Sequence, residues 1–234
     1  MKQLLFFLAA FSIAKASPVS LFDGKTLTGW DVPAGEEKWW RVQDGMIVGG
    51  SLEQKIPVNL FLSSAREFRN FELTFKIRLV KGEGFMNSGI QVRSQRDSEK
   101  SAMAGYQVDA GIGYWGDLYD EHRRNKKLAG ATDQAALLSG VRDWDWNDYR
   151  IICEGRRIRS WINGLPALDY TERDGEIPLD GKLGIQVHAG GTLLVQLREI
   201  AIAELPDTPG APTWAPTKPA LPQPKVEGLS LIHI

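Results

Sequence analysis

One stretch of strict alternation constrains the fold of this chain more than any other feature of its sequence. From Phe71 to Leu79 every second residue is apolar and every intervening residue is polar or charged. Successive side chains of a β-strand point to opposite faces, so this pattern predicts a strand that is buried on one face only. The same period of two, and almost nowhere the helical period of 3.6, continues through residues 17–205.

Further strands are predicted wherever short runs of this kind end at glycine-containing turns. Asn163-Gly164, between two such runs, is the strongest short hairpin signal, and a short helix is expected only near Asp133–Leu138. Many short strands between such turns are typical of an all-β protein, an antiparallel β-sandwich or jelly roll. The other predicted strands are Trp39–Val42, Met46–Gly49, Leu60–Ser63, Ser88–Ser94, Tyr106–Ala110, Tyr149–Glu154, Arg157–Ile162, Leu168–Tyr170, Leu183–His188 and Leu193–Glu204.

Both ends of the chain are expected to lie outside this domain of residues 17–205. Lys2, the apolar run 4–14 and the small-residue site Ala14-Lys15-Ala16 predict a secretory signal peptide over residues 1–16. The protein is therefore expected to be exported, to the periplasm or the medium. The proline-rich residues 206–228 predict an extended linker, and the apolar residues 229–234 are interpreted as a sequencing or cloning scar, with a C-terminal strand as the alternative. A scar there would mean that the natural chain continues, with a further domain beyond the linker.

Composition excludes several classes of partner and cofactor. The chain has 28 Lys and Arg against 29 Asp and Glu, so no basic excess is present to neutralise phosphates and no nucleic-acid partner is expected. No segment after the signal peptide approaches 18 consecutive apolar residues, so no membrane span is expected. One cysteine excludes a disulfide framework, and the domain's two histidines are too few and too far apart to indicate a metal site.

Polar side chains share one face of three predicted strands. Alternation places Ile90, Val92, Val108, Ile185 and Val187 toward the core. The opposite face then carries amides together with ionisable groups. If the three strands are neighbours, these side chains form a concave polar floor, a candidate carbohydrate site; a solvated outer face is the alternative. The set consists of Asn87, Gln91, Arg93, Gln107, Asp109, Gln186 and His188.

A second candidate cluster lies in the glycine-bounded segment 113–124. It combines three aromatic residues, three carboxylates, a histidine and two arginines. Aromatic rings that stack on sugar faces, with charged groups that hold hydroxyls, are one use of such a composition. A surface loop whose aromatic residues cover the rim of the sandwich is the other. The candidate substrate-binding residues here are Trp115, Tyr119, Asp120, His122 and Arg123.

An ordered series of short motifs runs through the domain: LFDGKTLTGW (21–30), WRVQDGMI (40–47), NSGI (87–90), WNDYRI (146–151), WING (161–164) and GIQVH (184–188). In this order and spacing they resemble the 3-keto-disaccharide hydrolase domain family over about residues 19–205. The resemblance implies a concanavalin A-like jelly roll and an exported protein. It also implies cleavage of glycosides whose C3 hydroxyl has been oxidised to a ketone by a separate oxidoreductase.

The residues match the family unevenly. His188 falls at the family's Leu-Gln-x-His position, and Arg198 at the arginine of its Phe-Arg-Asn-Ile motif. Where family members commonly have Tyr-Glu-x-Gln, this chain has Tyr106-Gln107-Val108-Asp109. The exchange moves the acid two positions along the same strand face.

The implied reaction needs a base, a partner for an oxyanion and an acid. A ketone at C3 acidifies the proton on C2; its removal allows the C1–O bond to break by β-elimination, and water then adds. Asp109 or His188 is the candidate base, Arg93 the oxyanion partner, and Tyr119 or His122 the acid. No cofactor is assigned, and a divalent cation held by Asp109, Gln107 and His188 is an alternative to Arg93. The competing functions are a non-catalytic carbohydrate-binding module and a structural partner in a surface complex.

Overall fold

Two antiparallel β-sheets build the fold in the computed structural model, which describes residues 16–97 and 102–214. In chain order the strands are β1 (Val19–Ser20), β2 (Trp30–Asp31), β3 (Trp40–Gln43), β4 (Met46–Ser51), β5 (Leu60–Phe68), β6 (Phe71–Gly84), β7 (Ser88–Arg96), β8 (Met103–Ala110), β9 (Leu118–Glu121), β10 (Lys126–Ala129), β11 (Asn147–Glu154), β12 (Arg157–Ile162), β13 (Leu165–Thr171), β14 (Gly181–Val187) and β15 (Gly191–Glu204). Sheet A has the order β13-β12-β11-β6-β15-β4-β3, with β1 also paired to β15. Sheet B has the order β10-β9-β8-β7-β14-β5-β2. The predicted all-β sandwich is confirmed.

Alternation along the strands fills the space between the sheets. In β6 the five apolar residues from Phe71 to Leu79 are buried, while the polar residues between them are half-buried on the other face. Phe75 stacks on Tyr149 of the neighbouring β11, with ring centroids 5.1 Å apart. Sheet B contributes its own inward residues, including Ile90, Val108 and Ile185. The core is therefore formed by the apolar half of each alternating strand, as the sequence predicts.

The turns and the short helix follow local sequence chemistry. Asn163 and Gly164 have φ values of 51° and 81°, and the left-handed conformation at both positions is that of the tight hairpin turn that joins β12 to β13. The predicted helix is Gln134–Gly140, and the side chain of Asp133 accepts a hydrogen bond from the Ala136 N–H at its start, at 2.9 Å. A 3₁₀ turn spans Glu37–Trp39.

The three strands expected to carry the site are neighbours in sheet B, in the order β8-β7-β14. Across them Asp109 lies opposite Gly89, which lies opposite Gln186. At the next position of the same face along β7 and β8, Gln107 lies opposite Gln91. On the other side of the row formed by Asp109, Gly89 and Gln186, the His188 N–H donates to the Asn87 carbonyl. Sequence alternation and this register together place the amides on one face.

The start of the proline-rich segment packs on the domain. The Asn70 side chain donates to the Pro206 carbonyl at 2.6 Å, and the Leu179 N–H donates to the Pro212 carbonyl at 2.8 Å. The Trp214 N–H then donates to the Asp180 carboxylate at 2.8 Å. Residues 206–214 of the expected linker thus continue the folded unit.

The expectations for residues 1–15 and 215–234 lie outside the described residues. Across the two described ranges, no helix combines the length and the apolar character needed to cross a membrane.

Candidate functional site

A chain of amide hydrogen bonds crosses the outer face of sheet B. The Gln91 side-chain amide donates to the Gln107 oxygen at 2.8 Å. The Gln107 nitrogen in turn donates to Asp109 Oδ1 at 2.7 Å and to the Gln186 oxygen at 3.2 Å. Because these four side chains come from β7, β8 and β14, the network fixes the three strands' polar groups relative to one another.

Gly89 makes this network sterically possible. It lies at the centre of the face, between Gln186 and Asp109. A Cβ atom at this position would lie 2.6 Å from Cγ of Gln107, much closer than ordinary van der Waals contact. The glycine of the NSGI motif therefore provides the space over which the Gln107 side chain lies.

Asp109 is a buried carboxyl group that resists ionisation. It is only 5% exposed. Burial raises its pKa well above the ordinary value; the Gln107 hydrogen bond opposes the rise, and the nearby Asp117 and Glu121 add to it. Since the pKa is far above that of an exposed aspartate, this group is suited to donate a proton or a hydrogen bond rather than to act as a base.

Glu121 is a second perturbed carboxyl group on the same face, and sequence reasoning named both of its neighbours but not Glu121 itself. Its Oε2 lies 3.5 Å from the Gln186 side-chain nitrogen, and its Oε1 lies 3.2 Å from His122 Nε2. Burial raises its pKa to about 7, with a smaller contribution from Asp120. A carboxylate with this pKa can accept and return a proton near neutral pH.

Strand register explains why Glu121 belongs to the site. Tyr119 of β9 lies opposite Gln107, so Tyr119 and Glu121 share the polar face while Asp120 between them points inward. Burial, Glu121 and Asp109 raise the pKa of Tyr119 to about 12, so its hydroxyl stays protonated. Sequence reasoning would have placed Glu121 on this face if it had predicted residues 118–121 as a strand.

The other end of the face carries His188 and Asn87. The half-buried His188 ring packs edge-on against Phe85, with centroids 4.6 Å apart, and Phe85 packs in turn against Tyr114 at 5.8 Å. His188 Nδ1 lies 2.7 Å from the Ala189 carbonyl. Asn87 is 4% exposed, and its side-chain oxygen has no hydrogen-bond partner among the described residues. A bound hydroxyl group would satisfy this acceptor.

Arg93 does not lie on this face, so the expectation that it serves as an oxyanion partner is wrong. A register irregularity in β7 between Val92 and Gln95 gives Arg93 a φ of 50°, which turns its side chain inward. The fully buried guanidinium donates to the Arg69 carbonyl at 2.9 Å, the Gly155 carbonyl at 2.5 Å and the Asn70 side-chain oxygen at 2.8 Å. Arg93 therefore ties sheet B to the turns that enter β6 and β12.

Three of the candidate substrate-binding residues in segment 113–124 are also structural. Trp115 is 1% exposed and donates from its indole nitrogen to Asp143 at 2.9 Å, so it covers the sandwich rim as the alternative interpretation proposed. Asp120 is fully buried and pairs with Arg123 and Arg124. Only Tyr119 shares the amide face by register, and the half-buried His122 borders it through Glu121.

Asp120 and Arg123 belong to an inward ionic network. Arg123 Nε donates to Asp120 Oδ1 at 2.9 Å, and its guanidinium carbon lies 4.5 Å from the Tyr106 ring centroid. Arg124 bridges Asp120 to Glu172, to which the Tyr106 hydroxyl also donates, at 2.6 Å. These charges stabilise the packing between the sheets and are not directed at the amide face.

The proposed cation ligands are not arranged as a metal site. Gln107 directs its amide nitrogen toward Asp109, while its oxygen accepts from Gln91. Within residues 16–97 and 102–214, no group of three or more His, Cys, Asp or Glu has a geometry suited to a metal ion. The donor set of Asp109, Gln107 and His188 therefore does not fit a divalent cation as it stands, and no catalytic step is assigned to one.

Three of the solved structures with the same architecture are of carbohydrate-related proteins. A proposed glycosyl hydrolase from Parabacteroides distasonis is 19% identical, with 81% of this chain and 94% of that chain covered and a TM-score of 0.58. The carbohydrate-binding module CBM66 from Bacillus subtilis is 15% identical, with 75% and 96% covered and a TM-score of 0.53. A β-glucanase from Bacillus licheniformis is 11% identical, with 83% and 100% covered and a TM-score of 0.51. At these identities the likeness concerns the fold.

Sequence comparison identifies the family. No protein with a curated function has a matching sequence. The profile of the 3-keto-alpha-glucoside-1,2-lyase-like domain matches residues 17–203, in agreement with the resemblance drawn from the short motifs. Because this match covers most of the chain, the protein belongs to the 3-keto-alpha-glucoside-1,2-lyase-like domain family.

Proposed function

We propose that the amide face of sheet B binds 3-keto-glycosides and cleaves them by C2 deprotonation, β-elimination and hydration, which together amount to hydrolysis. One observation carries the proposal: two carboxyl groups with raised pKa values, Asp109 and Glu121, lie on one face and are linked through Gln107 and Gln186. Titratable groups that a site perturbs in this way are typical of acid–base catalysis. Membership in a glucoside-lyase-like family supports the same conclusion.

Glu121 is the proposed base and Asp109 the proposed acid. The ionised Glu121 removes the C2 proton, which the C3 ketone acidifies. The C1–O bond then breaks, its electron pair leaves with the aglycone oxygen, and that oxygen takes the proton of Asp109. Water adds across the resulting C1=C2 bond: its hydroxyl goes to C1, its proton returns to Asp109, and Glu121, after exchanging its proton with solvent, returns one to C2.

This assignment revises the roles expected from the sequence. A base must be ionised at the working pH: Glu121 has a pKa of about 7 and a side chain that is 12% exposed, whereas Asp109 is only 5% exposed and burial raises its pKa well above the ordinary value. Tyr119 and His188 remain on the face as proposed substrate-binding groups. The unpaired side-chain oxygen of Asn87, whose backbone carbonyl accepts from the His188 N–H, is a proposed acceptor for a sugar hydroxyl.

The test is cleavage of aryl 3-keto-glucosides and the corresponding unoxidised glucosides. Activity should depend on the ketone, because an unoxidised C2–H is too weak an acid for a carboxylate base. Glu121→Gln and Asp109→Asn should each lower kcat by about 10²-fold or more, the scale of losing a general base or acid. Glu53→Gln, at an exposed glutamate outside the strands β7, β8, β9 and β14 that carry the face, is the matched control and should leave kcat unchanged.

Deuterium distinguishes the mechanism from direct displacement. In D₂O, elimination and hydration should place solvent deuterium at C2 of the released keto-sugar. Cleavage without label at C2 would refute the elimination pathway, and the protein would then be a glycosidase that acts by direct displacement at C1.

A non-catalytic carbohydrate-binding module is the second candidate, and the structural similarity to CBM66 favours it. Such a protein would bind oxidised and unoxidised glucosides alike and release no aglycone. The same assay, combined with calorimetric titration of both sugars, separates the two functions.

Export is part of the proposal and depends on the signal-like residues 1–16. N-terminal sequencing of the protein from the periplasm or the medium should begin at Ser17. A product that keeps residues 1–16 and stays inside the cell would contradict export.

A further inference from the structure

We propose that the outer face of sheet A, on the opposite side of the sandwich from the amide face, binds a neutral oligosaccharide without cleaving it. Two clefts on this face meet at Trp161, which lines both. Their volumes are about 480 and 560 Å³, within the ordinary range of ligand sites. The first is lined mainly by Thr74, Lys76, Asp148, Arg150, Trp161 and Glu199.

The two clefts together form a groove that crosses most of the sheet. The first reaches from β15 across β6 and β11 to β12, and the second continues over β12 and β13 to the helix at 134–140. Five adjacent strands are separated by four spacings of about 4.8 Å, so the groove is about 19 Å long. This length suits a chain of several sugar rings rather than one small molecule.

The charges in the groove balance and most are already paired. Lys76 pairs with Asp148, and Arg157 with Asp169 at 2.5 Å. Arg150 binds both oxygens of Glu72 through two hydrogen bonds, at 3.0 and 3.1 Å. No net charge is left to attract an ionic ligand, whereas sugar hydroxyls can bond to paired carboxylates and guanidinium groups. The charged lining comprises Lys76, Arg150, Arg157 and Arg159 against Asp133, Asp148, Asp169 and Glu199.

Trp161 provides the apolar surface that a sugar ring requires. The Arg150 guanidinium lies 4.6 Å from its ring centroid and the Arg159 guanidinium 5.9 Å, so two neighbours hold the half-buried indole in place. Because the aromatic wall is already ordered, binding loses little conformational entropy there. The C–H face of a pyranose can pack on this wall while its hydroxyls reach the polar residues of both clefts.

The same surface supplies a matched control. Trp146 is also half-buried and lies between two arginines, with Arg198 at 4.2 Å and Arg78 at 5.0 Å from its ring centroid. Trp146 lines neither of the two clefts. Any general effect of removing an arginine-stacked tryptophan from this surface should therefore appear at both positions, and an effect on binding only at Trp161.

The test uses protein labelled with 5-fluorotryptophan and observed by ¹⁹F NMR. Maltotetraose, cellotetraose and laminaritetraose are titrated separately, with tetragalacturonate as the anionic comparison, and Trp161→Phe assigns the resonance. At least one neutral tetrasaccharide should shift the Trp161 signal and leave the Trp146 signal in place. Trp161→Ala should weaken that binding by about tenfold or more, and Trp146→Ala by less than about twofold. If Trp161→Ala does not fold, Trp161→Leu takes its place.

Three outcomes would overturn the inference: no neutral tetrasaccharide shifts Trp161, only tetragalacturonate does, or both alanine variants lose affinity equally. Its failure is distinguishable from failure of the proposed catalysis. Glu121→Gln should lower kcat on 3-keto-glucosides by about 10²-fold or more and leave the Trp161 titration unchanged.

Discussion

Glu121→Gln should raise the free energy of unfolding above that of the wild type, and this gain should be larger at alkaline pH than at acidic pH. The Glu121 side chain is 12% exposed, and burial, with help from Asp120, raises its pKa from 4.5 to about 7 against the opposing hydrogen bond from Gln186. Glutamine keeps the size of the side chain and an oxygen that can still accept from Gln186. The substitution therefore removes the ionisation and little else.

The sign follows from which state ionises first. Below pH 4.5 Glu121 is protonated in both the folded and the unfolded chain and contributes nothing to pH dependence. Between pH 4.5 and about 7 the unfolded chain releases its proton while the folded protein retains it, so the free energy of unfolding falls as pH rises. Each pH unit in this interval corresponds to about 1.4 kcal/mol, so the loss approaches about 3 kcal/mol above pH 7.

Urea unfolding of wild type and variant at pH 5 and pH 8.5 measures this effect. The difference in unfolding free energy between Glu121→Gln and wild type should grow by about 2 kcal/mol or more in the variant's favour from pH 5 to pH 8.5. Glu53→Gln, on an exposed residue, controls for the loss of one carboxylate from the chain. An equal difference at both pH values would show that Glu121 ionises as an exposed glutamate does, and would remove the basis for assigning it as the base.

Three further predictions test other parts of the structure. Arg93→Met should lower the unfolding free energy by about 3–5 kcal/mol in urea titrations, because the Arg69 and Gly155 carbonyls and the Asn70 side chain lose the fully buried charged group that donates to them; a loss below about 1 kcal/mol would contradict the inward placement. Gly89→Ala should lower kcat on 3-keto-glucosides by about 10²-fold by displacing Gln107, and should lower the unfolding free energy by about 1–3 kcal/mol because the added methyl group overpacks a buried site; unchanged kinetics would count against the amide network. Trp214→Ala should reduce stability by about 1 kcal/mol in thermal melts, since its indole donates to the Arg93 carbonyl at 3.2 Å and lies over Arg123; an unchanged melting temperature would mean that the Trp214 side chain contributes no packing energy.

The main strands could be predicted because their pattern is local. The alternation of Phe71–Leu79 became the buried centre of β6, and Arg157–Ile162 was predicted with the bounds that the structure has. The strands Leu118–Glu121 and Lys126–Ala129 were missed, since both are four residues long and rich in charge, so their composition is also that of a loop. The first of them pairs with β8 and the second pairs with the first, so both add to the edge of a sheet that already contains β8. That edge is a property of the assembled sheet.

The candidate site was predictable in its centre and not at its edges. Gln91, Gln107, Asp109 and Gln186 keep the alternation of regular strands, so their common face followed from period two and their contact from strand order. Arg93 was misplaced because the irregularity after Val92 breaks that alternation, and nothing in the local composition marks it.

The sequence by itself determined the all-β architecture, the hairpin turn at Asn163-Gly164 and the polar character of the face that carries Asp109. These depend on periodicity and on backbone conformations that single residues favour. The tertiary structure alone decided that Arg93 and Asp120 turn inward, that Glu121 approaches Gln186, and that Trp161 lines two adjoining clefts. Those placements depend on bulges, on the register between strands distant in sequence and on burial, which sets the pKa of Glu121. None of these is determined by the residues that flank each position in the sequence.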